Sequence, residues 1–463
     1  MNKKSFSLMS IALLGAMTIV GCGEQDNRPV LIYRSWDTGT KVANNEERQL
    51  IRAFERKENV RVKIVDDPGQ GTAYWDGIDA SVIRKEEIAD VFMLPSLDKP
   101  LASQYLLNIK EYTDADEEFA NISASLRETC AFKSGVYALP ARMNLQGYFA
   151  NTTLIEESLG IDADNLSVNS SFSDIEAIID KADTVDGVFG ISGTTHFIDT
   201  MASVLDTSTE KTMGYFTWDG SQYHLNSQAF IQGVQKAREI FDAKKTIAAY
   251  SSDELAEYDV TDAVDAWNKS KLALRYGYTY EMPDMMAKKL PGSSYKFIGN
   301  PGGKITIVPD YYGIYVGTKK PELAYKLAKW MSFGSEGFTK RMELYAPSGA
   351  INTLPIQNDA TIINNYFDNF GSSSEMRGME DAFEYIKTKS MVEGLKPIPG
   401  FDASRNQAFT GIEIGDYPNA SMFDLLNSCV VFGGDITQYA DQINTIANNQ
   451  YTSWMNTHGK KYQ

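Results

Sequence analysis

Tryptophan and tyrosine stand beside carboxylates at several separated points of the chain. Trp36 and Asp37 sit together in the stretch Arg34-Ser35-Trp36-Asp37-Thr38-Gly39. Tyr74 and Trp75 follow Gly69-Gln70-Gly71, Ser96 and Asp98 follow an apolar run stopped by Pro95, and Tyr278 and Tyr280 follow Gly277. Arg142, Trp218, Tyr311, Tyr312, Phe401 and Arg405 complete the candidate set. Flat rings stack on faces of C–H bonds, while carboxylates and guanidinium groups make charge-assisted hydrogen bonds to hydroxyls. The combination suits a ligand with both features, as a sugar has, held in a cleft with a polar rim. Arg142 carries a second reading, that of an arginine committed to a structural ion pair. Glu281 and Asp284 beside the tyrosines also allow a cationic or nitrogenous ligand such as a polyamine.

Signatures of catalysis are sparse. The three histidines, His196, His224 and His458, form no His-Glu-x-x-His, and the cysteines lack zinc-ligand spacing. There is no Gly-x-Ser-x-Gly elbow and no phosphate-binding glycine loop. Two Ser-x-x-Lys matches lack the partner motifs of serine acyltransferases. A surface glycan-cleaving protein would need a pair of carboxylates, and no spacing singles one out. The expectation is a binding protein without metal or cofactor.

The net charge of −17 over 463 residues argues against nucleic acid, which attracts basic surfaces. The length suggests two or three domains. Residues 8–20 are mostly apolar behind Lys3 and Lys4, too short for a comfortable span and followed by polar chain, which reads as a signal-peptide core. That core ends in Ile19-Val20-Gly21-Cys22, which resembles the lipobox of bacterial lipoproteins. The resemblance implies a signal peptide over 1–21, lipid attachment at Cys22, a tether over 22–29 and an extracytoplasmic mature chain on the cell membrane. Cys130 and Cys429 then either pair or remain as buried free thiols.

Apolar spacing supplies the elements that position the candidates. Strands are expected at residues 30–33, 60–64, 89–94, 188–191 and 271–276, with a long extended segment at 135–151. Helices are expected at 46–57, at 172–182 with a cap at Ser173 or Asp174, at 228–244, at 321–332, and from Asp435 onward. Two strands, 305–308 and 312–316, flank Pro309 and Asp310, and the chain reads as loop-rich from Tyr345 to Arg405. Strand-helix-strand order implies an α/β fold whose parallel strands present ligand sites at their carboxyl ends.

The order of several stretches resembles the extracellular solute-binding proteins of ABC importers, the group that includes the maltodextrin-binding proteins. They are the strand and loop at Leu31 to Asp37, Ala89-Asp90-Val91-Phe92 with Pro95, Val136-Tyr137-Ala138-Leu139-Pro140 leading to Tyr148-Phe149-Ala150-Asn151, Asn268 to Tyr278, and Gly313 to Phe338. The resemblance implies a two-lobe, type II periplasmic-binding-protein-like clamp with the ligand cleft between the lobes. Lobe 1 would hold 30–140 plus about 310–350, and lobe 2 would hold 141–305 plus about 351–463. Three crossings, near Pro140 to Arg142, Thr306 to Asp310 and Ala350 to Pro355, would form the hinge. It further implies a monomer that binds a small molecule, probes it with a ring after the glycine turn at Gly277, and hands it to ABC permease subunits.

Overall fold

The computed structural model describes residues 26–39, 44–65, 72–86, 88–194, 198, 218–219, 221–303, 305–371, 378–392, 412–414 and 419–462. Residues 1–21, Cys22, Phe401 and Arg405 lie outside the described residues.

The chain opens as an α/β unit. Strand β1 (Val30–Arg34) pairs in parallel with β2 (Arg61–Val65) and with β3 (Val91–Leu94). The helix Glu46–Glu58 links the first two and buries Leu50, Ile51 and Phe54, which fall on one face at helical spacing. Asn45 caps its start by accepting from the Arg48 amide, and Asn59, in the left-handed region at φ 52°, ends it. A small hairpin, β4 (Ala131–Phe132) with β5 (Gly135–Val136), precedes the longest strand, β6 (Leu139–Asn151), every residue of which is buried. Then follow β7 (Phe189–Ile191), β8 (Leu272–Tyr278), β9 (Tyr295–Gly299), β10 (Ile305–Ile314) and β11 (Ser390–Val392).

Among the described residues nine of these strands form one sheet. Its path is β2-β1-β3-β10-β6-β8-β7, with β11 added to β10 and β9 added to β6. The parallel outer strands on both sides belong to α/β units, and the antiparallel pair β6–β10 joins them. The two halves therefore share strands, which is why no Pro- or Ser-rich linker divides the sequence. A third segment runs along the same pair: the Leu354 amide donates to the Met143 carbonyl at 2.9 Å, and Thr353 Oγ1 accepts from the Met143 amide at 3.0 Å.

Three expectations are corrected. Residues 305–316 do not make two strands around a break. They form one strand, β10, whose register against β6 shifts between Asp310 and Tyr311. A proline costs a ladder donor, and the bulge beside Pro309 absorbs that cost without ending the strand. The 345–405 region is not loop-rich throughout: it contains the helices Ala360–Phe370 and Met379–Lys389 and ends its described part in β11, parallel to β10. Asn364-Asn365 and Asp368-Asn369 read as turn formers, yet Ile362, Tyr366, Phe367 and Phe370 bury one helical face. Finally, Ser171, two residues before Ser173, caps the helix Phe172–Ala182 in a reciprocal box with Asp174.

The late chain turns back on the first half. The helix Ala440–Thr457 buries Ile443 and Ala447 in a core with Trp218, Tyr223, Leu225, Met422 and Leu425. Its far end carries Trp454 to Phe132 (5.6 Å between centroids), and Tyr462 beyond it packs on Tyr137 at 5.0 Å. The Tyr462 hydroxyl donates to the Leu101 carbonyl at 2.6 Å. Cys130 and Cys429 are free and buried, in different cores, and burial pushes their thiols up to about 12 and about 11.

Two outcomes follow from this packing. A Cβ at Gly147 would lie 2.8 Å from the Gly299 backbone where β9 joins β6, so Gly147→Ala should destabilise the protein by about 1–3 kcal/mol, read as a lower thermal midpoint. Glu118 is pulled up by burial but pushed down further by Lys329 at 2.5 Å and by Ser335, so its carboxyl is held at about 2. A depressed folded value stabilises above the ordinary carboxylate range and loses that contribution as pH falls through about 2. Thermal midpoints should therefore fall with acid between about pH 4.5 and 2, and less steeply in Glu118→Gln.

Candidate functional site

The carboxyl end of β1 runs into the short 3-10 turn Trp36–Thr38, capped by the Ser35 hydroxyl, which accepts from the Asp37 amide at 3.2 Å. The first turns of the helix Glu46–Glu58 pin this loop. Asn45 donates to the Asp37 carbonyl at 2.8 Å, while Arg48 donates to the carbonyls of Thr38 (2.7 Å) and Gly39 (3.0 Å). The loop is thus rigid through its backbone, and the Trp36 and Asp37 side chains remain partly accessible.

Asp37 meets Arg142 at the centre of the molecule. Arg142 lies on β6 opposite Asp310 of β10, where the two long strands cross between the halves of the sheet. Its Nη2 is 2.7 Å from Asp37 Oδ2 and 3.0 Å from Glu47 Oε2, and its Nη1 donates to the carbonyls of Ala141 (2.8 Å) and Met331 (3.1 Å). Glu47 also pairs with Arg341 and accepts from the Tyr345 hydroxyl at 3.1 Å; Arg341 donates to Met331 O at 2.7 Å. Arg142, Glu47 and Arg341 are almost fully buried, and Asp37 keeps 19% of its side chain exposed. Burial lifts the Asp37 carboxyl above its usual range, with Glu47 and Asp310 adding to the rise and Arg142 opposing it. Burial also penalises the Glu47 charge, but Arg142 and Arg341 together outweigh it and hold its carboxyl low. Under this row lies a tyrosine pair, Tyr33 and Tyr312, with hydroxyls 2.6 Å apart.

Other candidates take distinct places. Trp36 stands edge-on to Tyr74 at 5.2 Å, and the Arg34 guanidinium lies over the Tyr74 ring at 4.9 Å. Tyr74 is itself in the core, as are Tyr311 and Tyr312, so these three rings support the site from behind rather than facing it. Trp75 falls in the helix Thr72–Arg84. Ser96 donates to Asp98 at 2.6 Å just past β3, and Asp98 lies close enough to Tyr223 for its charge to help raise the tyrosine hydroxyl, after burial. Trp218 is nearly buried against Tyr223 (4.8 Å) and Tyr451 (4.9 Å). The late core thereby approaches the β3 loop.

Tyr278, opposite Gln146 of β6, and Tyr280 are stacked at 4.9 Å with an interplanar angle of 16°, and Tyr280 is 50% exposed. The acids beside them are already matched: Glu281 to Arg275 at 3.0 Å and Asp284 to Lys288 at 2.9 Å. A small opening beside the crossing is lined by Asn144, Thr279, Met282, Ile351, Leu354 and Tyr366, none of them a sequence candidate. Among the described residues no group of His, Cys, Asp and Glu is arranged to hold a metal, and no helix is long and apolar enough to cross a membrane.

Of the sequence candidates, the structure brings Asp37 and Arg142 together, with Trp36 beside Asp37; sequence reasoning missed Glu47, Arg341 and Asp310. Glu47 left a faint signal, an acid in the first turn of the helix that follows the Trp36 loop. Arg341 left none, because it lies 294 residues away from its partner.

Two α/β units joined by crossing strands, with rings and carboxylates at strand ends, define the two-lobe type II fold of periplasmic-type solute-binding proteins. The chain belongs to the bacterial extracellular solute-binding protein family, whose model matches residues 41–333. Solved structures agree in fold. An ABC substrate-binding protein of Listeria monocytogenes in complex with cycloalternan aligns with TM-score 0.64 at 14% identity, over 91% of this chain and 99% of that one. The sugar-binding protein MalE of Xanthomonas citri gives 0.67 at 11% identity, over 92% and 98%. A cyclic alpha-maltosyl-1,6-maltose binding protein of Arthrobacter globiformis gives 0.64 at 11% identity, over 92% and 100%. No curated protein sequence matches the chain.

The ion-pair row makes a direct prediction. Arg142→Met strips Asp37 of its counter-charge and leaves Glu47 with Arg341 alone, so unfolding free energy should fall by roughly 3–5 kcal/mol in a denaturant titration.

Proposed function

We propose that this solute-binding protein captures a carbohydrate, an oligosaccharide in particular, and delivers it to the permease of an ABC importer. It catalyses no reaction. The observation that carries the reading is the pairing of Trp36 with Asp37 on one side of the strand crossing and the stacked, half-exposed Tyr278–Tyr280 shelf on the other. Rings on both sides supply stacking faces, and Asp37, Ser96 and Asp98 supply hydroxyl partners. The similar proteins of known structure bind sugars, which supports the same class of ligand.

In this reading lobe 1 comprises 30–140 with about 310–350, and lobe 2 comprises 141–305 with about 351–463. The two hinge about the segments through Arg142, Asp310 and Thr353, which lie side by side. Trp218, nearly buried, backs lobe 2 from within its core, and Arg142 acts through Asp37. Cys22 carries the lipid, and the tether 22–29 keeps the clamp, as a monomer, near its permease on the outer face of the cell membrane. A cationic solute is less well served, because Glu281 and Asp284 already have basic partners.

Calorimetry of the mature protein against mono- and oligosaccharides tests the reading. Binding to at least one glycan is expected, with Trp36→Ala and Tyr280→Ala each weakening it about tenfold, ~1.4 kcal/mol. Silence across the panel, or turnover of a labelled glycan, would contradict it. Cys22→Ser should release the protein from membranes with its glycan affinity unchanged.

A further inference from the structure

The row Arg341–Glu47–Arg142–Asp37 alternates charge from a fully buried end to an open one. Arg341 sits on the helix Ser335–Tyr345, Glu47 on the helix after β1, Arg142 on β6 and Asp37 in the loop leaving β1. Four elements therefore converge on one line of contacts. Arg142 has little freedom along it: Nη1 is committed to two carbonyls, and Nη2 lies between the carboxylates of Glu47 and Asp37. Asp37 Oδ2, against Arg142, is closed to solvent, so the 19% exposure of the side chain falls on its other atoms.

We propose that Glu47, backed by Arg341, is a positioning residue: it holds Arg142 so that the guanidinium fixes the Asp37 carboxylate at the open end of the row, ready for a ligand hydroxyl. The inference rests on the sugar-binding reading for its consequence, but the row itself is testable without ligand.

The charges that face Asp37 decide the direction of the test. They are Arg142 from β6, Glu47 from the helix Glu46–Glu58, Asp310 from β10 and Arg341 from the helix Ser335–Tyr345, with the hydroxyls of Tyr312 and Tyr345 close to the same row. Three acids and two arginines leave an excess of negative charge, and Asp37 is the member of the row with access to solvent. Removing Glu47's charge would hand more of Arg142 to Asp37. The Asp37 carboxyl would then ionise at lower pH and lose its fixed position together.

The experiment uses the mature protein. The Asp37 titration is followed by Trp36 fluorescence as the difference between each protein and its Asp37→Asn counterpart. In Glu47→Gln the step should move to lower pH. In Glu47→Asp, which keeps the charge and shortens its reach, the step should stay. In maltotetraose calorimetry both variants should bind roughly ten- to hundredfold more weakly than wild type, the loss of one charge-assisted hydrogen bond. A purely structural Glu47 would lower thermal stability and leave the affinity of both variants in place, and that result overturns the proposal; a step that stays in Glu47→Gln overturns the row itself. Should Glu47→Gln fail to fold, an unchanged affinity in Glu47→Asp overturns it equally. Wild type that binds no maltotetraose or other oligosaccharide defeats the sugar reading, and the titration in the free protein still decides the row.

Discussion

A guanidinium in the middle of two buried strands has to be neutralised where it stands, and the architecture around Arg142 answers that requirement. An unpaired buried charge costs several kcal/mol, so each element that reaches the crossing brings a compensating group. The loop after β1 brings Asp37, the next helix brings Glu47, and the helix Ser335–Tyr345 brings Arg341 to balance the second acid. The carbonyls of Ala141 and Met331 accept hydrogen bonds from its Nη1. The ion pairs thereby tie residues some 300 positions apart in sequence to one point of the sheet. Pairs of this kind add specificity of arrangement more than net stability.

The crossing strands impose a second constraint. Because β6 and β10 are central to one continuous sheet, the two halves are joined through these strands, with the Thr353–Leu354 segment bonded beside them. The close approach of Gly147 to Gly299 and the register shift beside Pro309 lie on these strands. The late helix adds a link outside the sheet, since its core partners belong to one half and its terminal aromatics rest on Phe132 and Tyr137 of the other. Tyr462 ends on Leu101, in the short helix that begins with Asp98 of the candidate site.

Much of the fold was legible where local pattern and burial agree. Leu50, Ile51 and Phe54 mark a helix face, and the unbroken apolar run Val91 to Leu94 marks a strand covered on both sides. Legibility failed where tertiary pairing overrides local signals. Pro309 reads as a strand break, but its neighbours on both sides hold β10 together. The asparagines of 364–369 read as loop, but Ile362, Tyr366, Phe367 and Phe370 around them have a core to fill. In the site, the Trp36–Asp37 loop was readable because its residue types are unusual for a strand end. Arg142 was readable only as an ambiguity, and the structure resolves it as an ion pair whose partners no sequence spacing reveals. Tyr311 and Tyr312 share the composition of ligand-stacking rings, and only their burial separates them from Tyr280.

In the proposed function, two lobes joined at this crossing close over an oligosaccharide. The most direct measurement is the distance between spin labels on exposed positions of the two lobes, Glu128 and Asp253, each replaced by cysteine, with and without a bound glycan. With Cys22→Ser in place, the buried thiols of Cys130 and Cys429 should leave the labelling selective. Saturating glycan should shift the distance distribution to a single, altered population. An unchanged distribution, with calorimetry reporting full binding in the same sample, would contradict it.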